Sequence, residues 1–119
     1  YTNETRKKLF SRLLEIGYKL PPIISPLAYV SKYATIDMGS VVMHHVFINA
    51  GVQIGQNCII NTKALIEHDS TIASQSHIST GAIINGDCHI NEDSFIGSGS
   101  VITEGKTIKG FIKAGTVNQ

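Results

Sequence analysis

An all-β coil of three short strands per turn, entered by one short helix, is the fold class that this 119-residue chain predicts. Three observations carry it. Position 24 and every sixth position after it, up to 108, hold Ile or Val without a gap, and of these fifteen only Val30 and Val42 are Val. Four residues after each stands a small residue or Val, from Ala28 through Ser40, Cys58, Ser70 and Ala82 to Ser100; this second column fails only at Lys106 and Ile112. A period of six matches neither a helix nor a hairpin meander, and an internal repeat this strict outranks any local propensity.

The elements follow in order. Thr2 to Gly17 read as an amphipathic helix with Asn3 or Thr2 as its cap, Leu9, Leu13 and Ile16 as an apolar stripe flanked by Phe10 and Leu14, and Gly17 as a left-handed stop. One short helix cannot bury that stripe alone. It must therefore dock on the following domain, a partner subunit or an N-terminal part outside this sequence. Pro21-Pro22 forces the chain into extended backbone. The first residue is Tyr1 rather than Met, which leads us to expect a fragment or a processed chain. We divide it into residues 1–23 (helix and extended segment) and 24–119 (coil).

In the coil, residues 18 apart stack on successive turns that rise by about 4.8 Å. β-Branched side chains fill a narrow interior, and small residues fit its tight corners. A β-sandwich would show irregular strand and turn lengths instead. Strand alternation turns the residue before each Ile or Val outward. The first outward column reads Tyr29, Phe47, Leu65, Ile83, Val101; the second reads Val41, Ile59, His77, Phe95, Lys113; the third reads Thr35, Gln53, Thr71, His89, Thr107. The third suits water. The first is wholly apolar and the second mostly so, and two unlike sticky faces on a three-sided prism invite a head-to-tail ring, which three copies close. We therefore expect a homotrimer.

Composition narrows the remaining classes. Ten Lys and Arg balance nine Asp and Glu, so no basic footprint points to nucleic acid or an anionic membrane. No apolar run is long enough to insert across a bilayer, and the opening residues do not read as a signal peptide, so neither a membrane span nor a secretory leader is expected from these residues. Cys58 and Cys88 are 30 residues apart, not a multiple of 18, so they do not stack to form a disulfide. That agrees with a reducing, cytoplasmic location.

Chemistry concentrates at Ile66-Glu67-His68-Asp69-Ser70, with Ser76-His77-Ile78 shortly beyond. The register puts His68 at a corner, where a side chain projects freely. A neutral imidazole is a natural base near pH 7, and Asp69 or Glu67 can hold its tautomer. Gly86 lies one turn beyond His68, where its amide approaches a ligand unhindered. His77 lies half a turn away in sequence on another face, so the two histidines meet only across a subunit interface. A lone histidine is often merely solvated, and His77 also reads as a packing residue. His44, His45 and His89 read as structural or solvent-facing, and Asn61 and Asn85 suit corners. Lys106, Lys109 and Lys113 suit either the phosphates of an anionic ligand or protection of an open β-edge.

On these residues the array resembles the left-handed parallel β-helix of the hexapeptide-repeat acyltransferases. Asn61-Thr62, Ile66-Glu67-His68-Asp69 and Ser76-His77-Ile78-Ser79 resemble its sugar acetyltransferase subgroup, the sialic-acid O-acetyltransferases and bacillosamine-pathway N-acetyltransferases. The resemblance implies the left hand, an acetyl-CoA co-substrate and a nucleotide-sugar acceptor. It further implies His68 as catalytic base, Asp69 as its orienting acid, and His77 and Gly86 beside the acetyl-CoA thioester, with Asn61 and Glu67 toward the acceptor. It makes residues 1–23 the end of a nucleotide-sugar-binding region. The expected activity is acetyl transfer to an amino group of a nucleotide-linked amino sugar in cell-surface polysaccharide biosynthesis. O-Acetylation of sialic-acid-like sugars and a catalytically silent β-helix scaffold are the alternatives. Zinc bound between subunits needs three convergent histidines, and His68, His77 and His89 lie on different columns, so no metal site is expected.

Overall fold

The computed structural model describes residues 2–118 and folds them into one helix and seventeen two-residue parallel strands. Consecutive strands belong to different sheets, and each strand pairs with the one three places later, which makes a three-sided β-solenoid. The pairings Phe47↔Leu65, Ile59↔His77 and Gln53↔Thr71 are all 18 residues apart, as the repeat requires. The three outward columns are the three sheets.

The Ile/Val column points into the prism, and from Val42 to Ile108 every member is buried. Full burial of one such side chain contributes about 1.5–3 kcal/mol. Ile24, Val30 and Ile36 point the same way but stay partly open, because the first turn has no turn beneath it. The small-residue column is internal as well. Ser40, Ser70 and Ser76 are fully buried and bridge turns: each hydroxyl donates to a carbonyl (Gly55, Asn85 and Asn91) and accepts the amide N–H of Cys58, Cys88 or Ser94, one turn on. Larger residues would leave no room for these bonds. Both cysteines are buried and free.

From the corner after Ile36 to the one after Ile102, each turns on a left-handed residue three places after the inward Ile or Val. Glycine takes this place at 39, 51, 81, 99 and 105, while His45, Asn57, Lys63, Asp69, Gln75, Asp87 and Asp93 adopt it with side chains, at φ between 52 and 68°. Asn and Asp tolerate this region better than other L residues, which accounts for much of the column.

Helix α1 spans Glu4–Ile16 and ends on Gly17 (φ 105°), whose N–H bonds the Leu14 carbonyl while that of Tyr18 bonds the Leu13 carbonyl. Asn3 stands at the N-cap position but its side chain makes no capping bond; Thr2 Oγ1, one residue earlier, accepts from the Glu4 N–H at 3.1 Å instead. The helix docks on the coil along the edge between the third and second sheets, where Gly39, Asn57, Gln75 and Asp93 stack. Phe10 is buried against Gly39, where a Cβ would collide with its ring. Arg6 donates to the Asn57 carbonyl, Asn3 Nδ2 to Asp93 Oδ1 (3.1 Å), and Lys7 Nζ pairs with Asp93 Oδ2 (3.3 Å). The face turned to the coil thus carries Asn3 and Phe10, both buried, with Arg6 and Leu13 half-buried. The expected stripe is corrected, since Leu9 and Ile16 are 55% and 61% exposed. Docking on a polar corner selects the face that carries Asn3 and Arg6.

The second outward column also departs from expectation at its end. Phe111, not Lys113, follows Phe95, in register with Ile96↔Ile112 and with the rings stacked at 5.2 Å. The corner after Ile108 is two residues short and turns on Gly110 (φ 92°). The shortened turn rides close on Gly97, where any side chain would strike the Ala114 backbone.

Candidate active site

The edge between the first and third sheets stacks the corners Ala50-Gly51, His68-Asp69 and Gly86-Asp87. Backbone bonds lock them together, Asp69 N–H to the Ala50 carbonyl (3.0 Å) and Asp87 N–H to the His68 carbonyl (2.9 Å). Asp69 is the left-handed residue of its corner (φ 62°), and this turn exposes the His68 side chain beside it. His68 Nδ1 lies 3.1 Å from Asp69 Oδ2. Donation from Nδ1–H to the carboxylate leaves Nε2 as the unprotonated nitrogen, the tautomer a general base needs. Of the two acids flanking His68, Asp69 makes the bond. Glu67 acts on the ring only through its charge, as does Glu104 from two turns up. The hydrogen bond to Asp69 is the leading cause that raises the His68 pKa above its ordinary value.

Gly86 is one turn away, as the register requires. A Cβ there would lie 2.5 Å from His68 Nε2, so the ring fills the room that the glycine leaves. Beneath Asp69 the same relation holds with Gly51, where a Cβ would overlap Oδ1. Sequence reasoning missed Gly51; a glycine 18 residues before the acid was the available signal.

His77 is on the second sheet, on a different side of the prism. It is half-buried, set edge-on to Phe95 at 5.1 Å, and its Nε2 is 3.4 Å from Asn61 Nδ2. Burial, helped by the Arg6 charge, pushes its pKa down to about 4. A neutral ring that accepts from Asn61 suits that shift. The predicted residues thus form two groups within one chain, His68 with Asp69, Glu67 and Gly86, and His77 with Asn61. Asn85, next to Gly86, donates to the Ile102 carbonyl (2.9 Å), and His89 faces Asp87 at 3.8 Å. His44 Nδ1 bonds Ser25 Oγ.

Solved structures similar to this chain include acetyltransferases. The acetyltransferase domain of PglB from Neisseria gonorrhoeae, in complex with acetyl coenzyme A, superposes with a TM-score of 0.95 at 36% identity, over 98% of this chain and 58% of that one. A mutant of perosamine N-acetyltransferase from Caulobacter crescentus, in complex with CoA and GDP-perosamine, gives 0.94 at 31% identity, over 99% and 58%. The hexapeptide-repeat acetyltransferases are its structural relatives. WeeI from Acinetobacter baumannii, at 19% identity and TM-score 0.52, shares the fold. No family model matches the sequence. The chain spans somewhat under three fifths of the length of the first two relatives. Among the described residues, no helix is long and apolar enough to cross a membrane.

Proposed function

We propose that this chain is the acetyl-transfer part of an acetyl-CoA-dependent N-acetyltransferase acting on a nucleotide-linked amino sugar. The observation that carries the reading is the exposed His68–Asp69 pair, seated over Gly86 on an edge of a coil shared with acetyltransferases bound to acetyl-CoA and to CoA with GDP-perosamine. The sugar amine attacks the thioester carbonyl. A C–N bond forms, the C–S bond breaks, and the departing thiolate takes up a proton to leave as CoA. His68 Nε2 receives the proton that the amine loses, and Asp69 holds Nδ1–H and stabilises the imidazolium. Gly86 and His77 attend the thioester, and Asn61 and Glu67 lie toward the acceptor. Residues 1–23 belong with the acceptor-binding region, and the product feeds polysaccharide assembly in the cytoplasm.

The site is made by a homotrimer. His68 and His77 lie on different sides of one prism, while apolar Tyr29 and Phe47 on one sheet and Phe111 on another stay exposed in the single chain. Pairing the first sheet of one copy with the second sheet of the next covers both and brings His77 of a neighbour toward His68. Assaying acetyl-CoA against 4-amino nucleotide sugars tests the chemistry. His68→Ala is expected to lower kcat by about 10²–10⁴-fold, with three chains still found by light scattering. Near-normal turnover would remove His68 as the base, and a monomer mass for the unsubstituted chain would remove the shared site.

A further inference from the structure

We propose that Gly51 is a positioning residue for His68: having no side chain, it leaves the space that the Asp69 carboxylate occupies while holding His68 Nδ1. The inference rests on the reading of His68 as base only for its effect on turnover. Its structural part stands alone.

Backbone conformation does not explain this glycine. Gly51 has φ 77°, but seven residues with side chains take the same corner place at φ 52–68°. The glycines in that place also differ in what surrounds them. At Gly81, Gly99 and Gly105 (φ 68, 67 and 76°) an added Cβ would meet nothing within 4 Å. At Gly51 it would overlap Asp69 Oδ1 and lie 3.2 Å from Asp69 Cγ. Only Gly39, filled by Phe10, is comparably crowded among these corner glycines. The obstructed atom is the free end of a side chain, not backbone. A methyl at position 51 therefore swings the carboxylate aside and leaves the coil standing.

Asp69 is also the leading cause that holds the His68 pKa up, with Glu104 and Glu67 contributing charge. Displacing its carboxylate frees Nδ1 and lowers that pKa, because the imidazolium loses its hydrogen-bonded anion. The active form of the base is neutral, so the acid limb of the kcat–pH profile moves to lower pH. Turnover above it falls with the lost orientation.

The test compares Gly51→Ala with Gly105→Ala, which imposes nearly the same φ strain in open space. The His68 ring is titrated by NMR, its signal assigned by its loss in His68→Ala. Gly105→Ala is expected to titrate as wild type. Gly51→Ala is expected to titrate at lower pH, where Asp69→Asn titrates, and to add nothing to Asp69→Asn in the double variant. Its kcat is expected to fall by roughly 10–100-fold, with KM for acetyl-CoA unchanged. Gly51→Asn, which suits positive φ as Asn57 does, is expected to repeat the shift and serves if the alanine variant does not fold. A wild-type titration in Gly51→Ala and Gly51→Asn, or an equal shift in Gly105→Ala, overturns the proposal. If Gly51→Ala shifts the ring while His68→Ala still turns over, the positioning holds and the base assignment falls. If His68→Ala abolishes transfer and Gly51→Ala leaves the ring unmoved, the reverse follows.

Discussion

Two edges of the prism share one backbone and differ in what covers them. The edge through Gly39, Asn57, Gln75 and Asp93 is roofed by α1, and its polar groups are taken up by Asn3, Arg6 and Lys7. The edge through Gly51, Asp69 and Asp87 is left unroofed among the described residues, and there His68 projects. A solenoid makes all its corners alike, so a site arises where a corner is left uncovered and its neighbours above and below are reduced to glycine. On the roofed edge, glycine at 39 makes room for packing by Phe10. On the open edge, glycines at 51 and 86 make room for two polar side chains. The same vacancy serves packing on one edge and, in the function proposed for His68, chemistry on the other.

Substitutions at the two edges should therefore separate cleanly. The largest effect is expected from His68→Ala on turnover, with its melting temperature unchanged because the ring is exposed. Next, Phe10→Ala should cost about 3–5 kcal/mol in denaturant unfolding, while the NMR titration of His68 stays in place; a shift there would mean that the edges communicate. Gly86→Ala is a smaller probe. Its backbone is not left-handed and the atom in the way is the free end of the His68 ring, so we expect a drop in kcat of roughly tenfold with little change in stability. Equal loss of both would show that Gly86 serves the coil rather than the ring.

The smallest effect concerns His77, whose folded pKa of about 4 lies below the ordinary 6.5. Its neutral form is favoured by folding, so its contribution is complete above pH 6.5 and is lost as pH falls toward 4. The melting temperature of His77→Gln should accordingly drop less than that of wild type between pH 7 and pH 4.5. Equal drops would mean that the ring is solvated when folded.

Much of this was legible in the repeat. A sixfold column of β-branched residues permits one register, because a slip of one residue would turn every Ile outward. The same arithmetic put His68 at a corner with Gly86 one turn on. Four features were not legible. Leu9, Phe10, Leu13, Leu14 and Ile16 offer two overlapping faces of α1, and only contact with Gly39 and Asn57 chooses between them. Phe111 displaced Lys113 because a corner lost two residues, which no column count anticipates. Asp69 and Glu67 both flank His68, and the turn geometry selected Asp69. Asn61 and His77 are 16 residues apart and share no column, yet they meet across the pleat.

By itself, then, the sequence determined the three-sided coil, its inward and outward columns and the exposure of His68, because parallel stacking makes position along the chain equivalent to position in space. The tertiary structure alone decided which helix face docks, where the last turn shortens, which acid holds the imidazole and which glycines give it room. Those depend on contacts between side chains on different turns, where a few tenths of an ångström decide what fits.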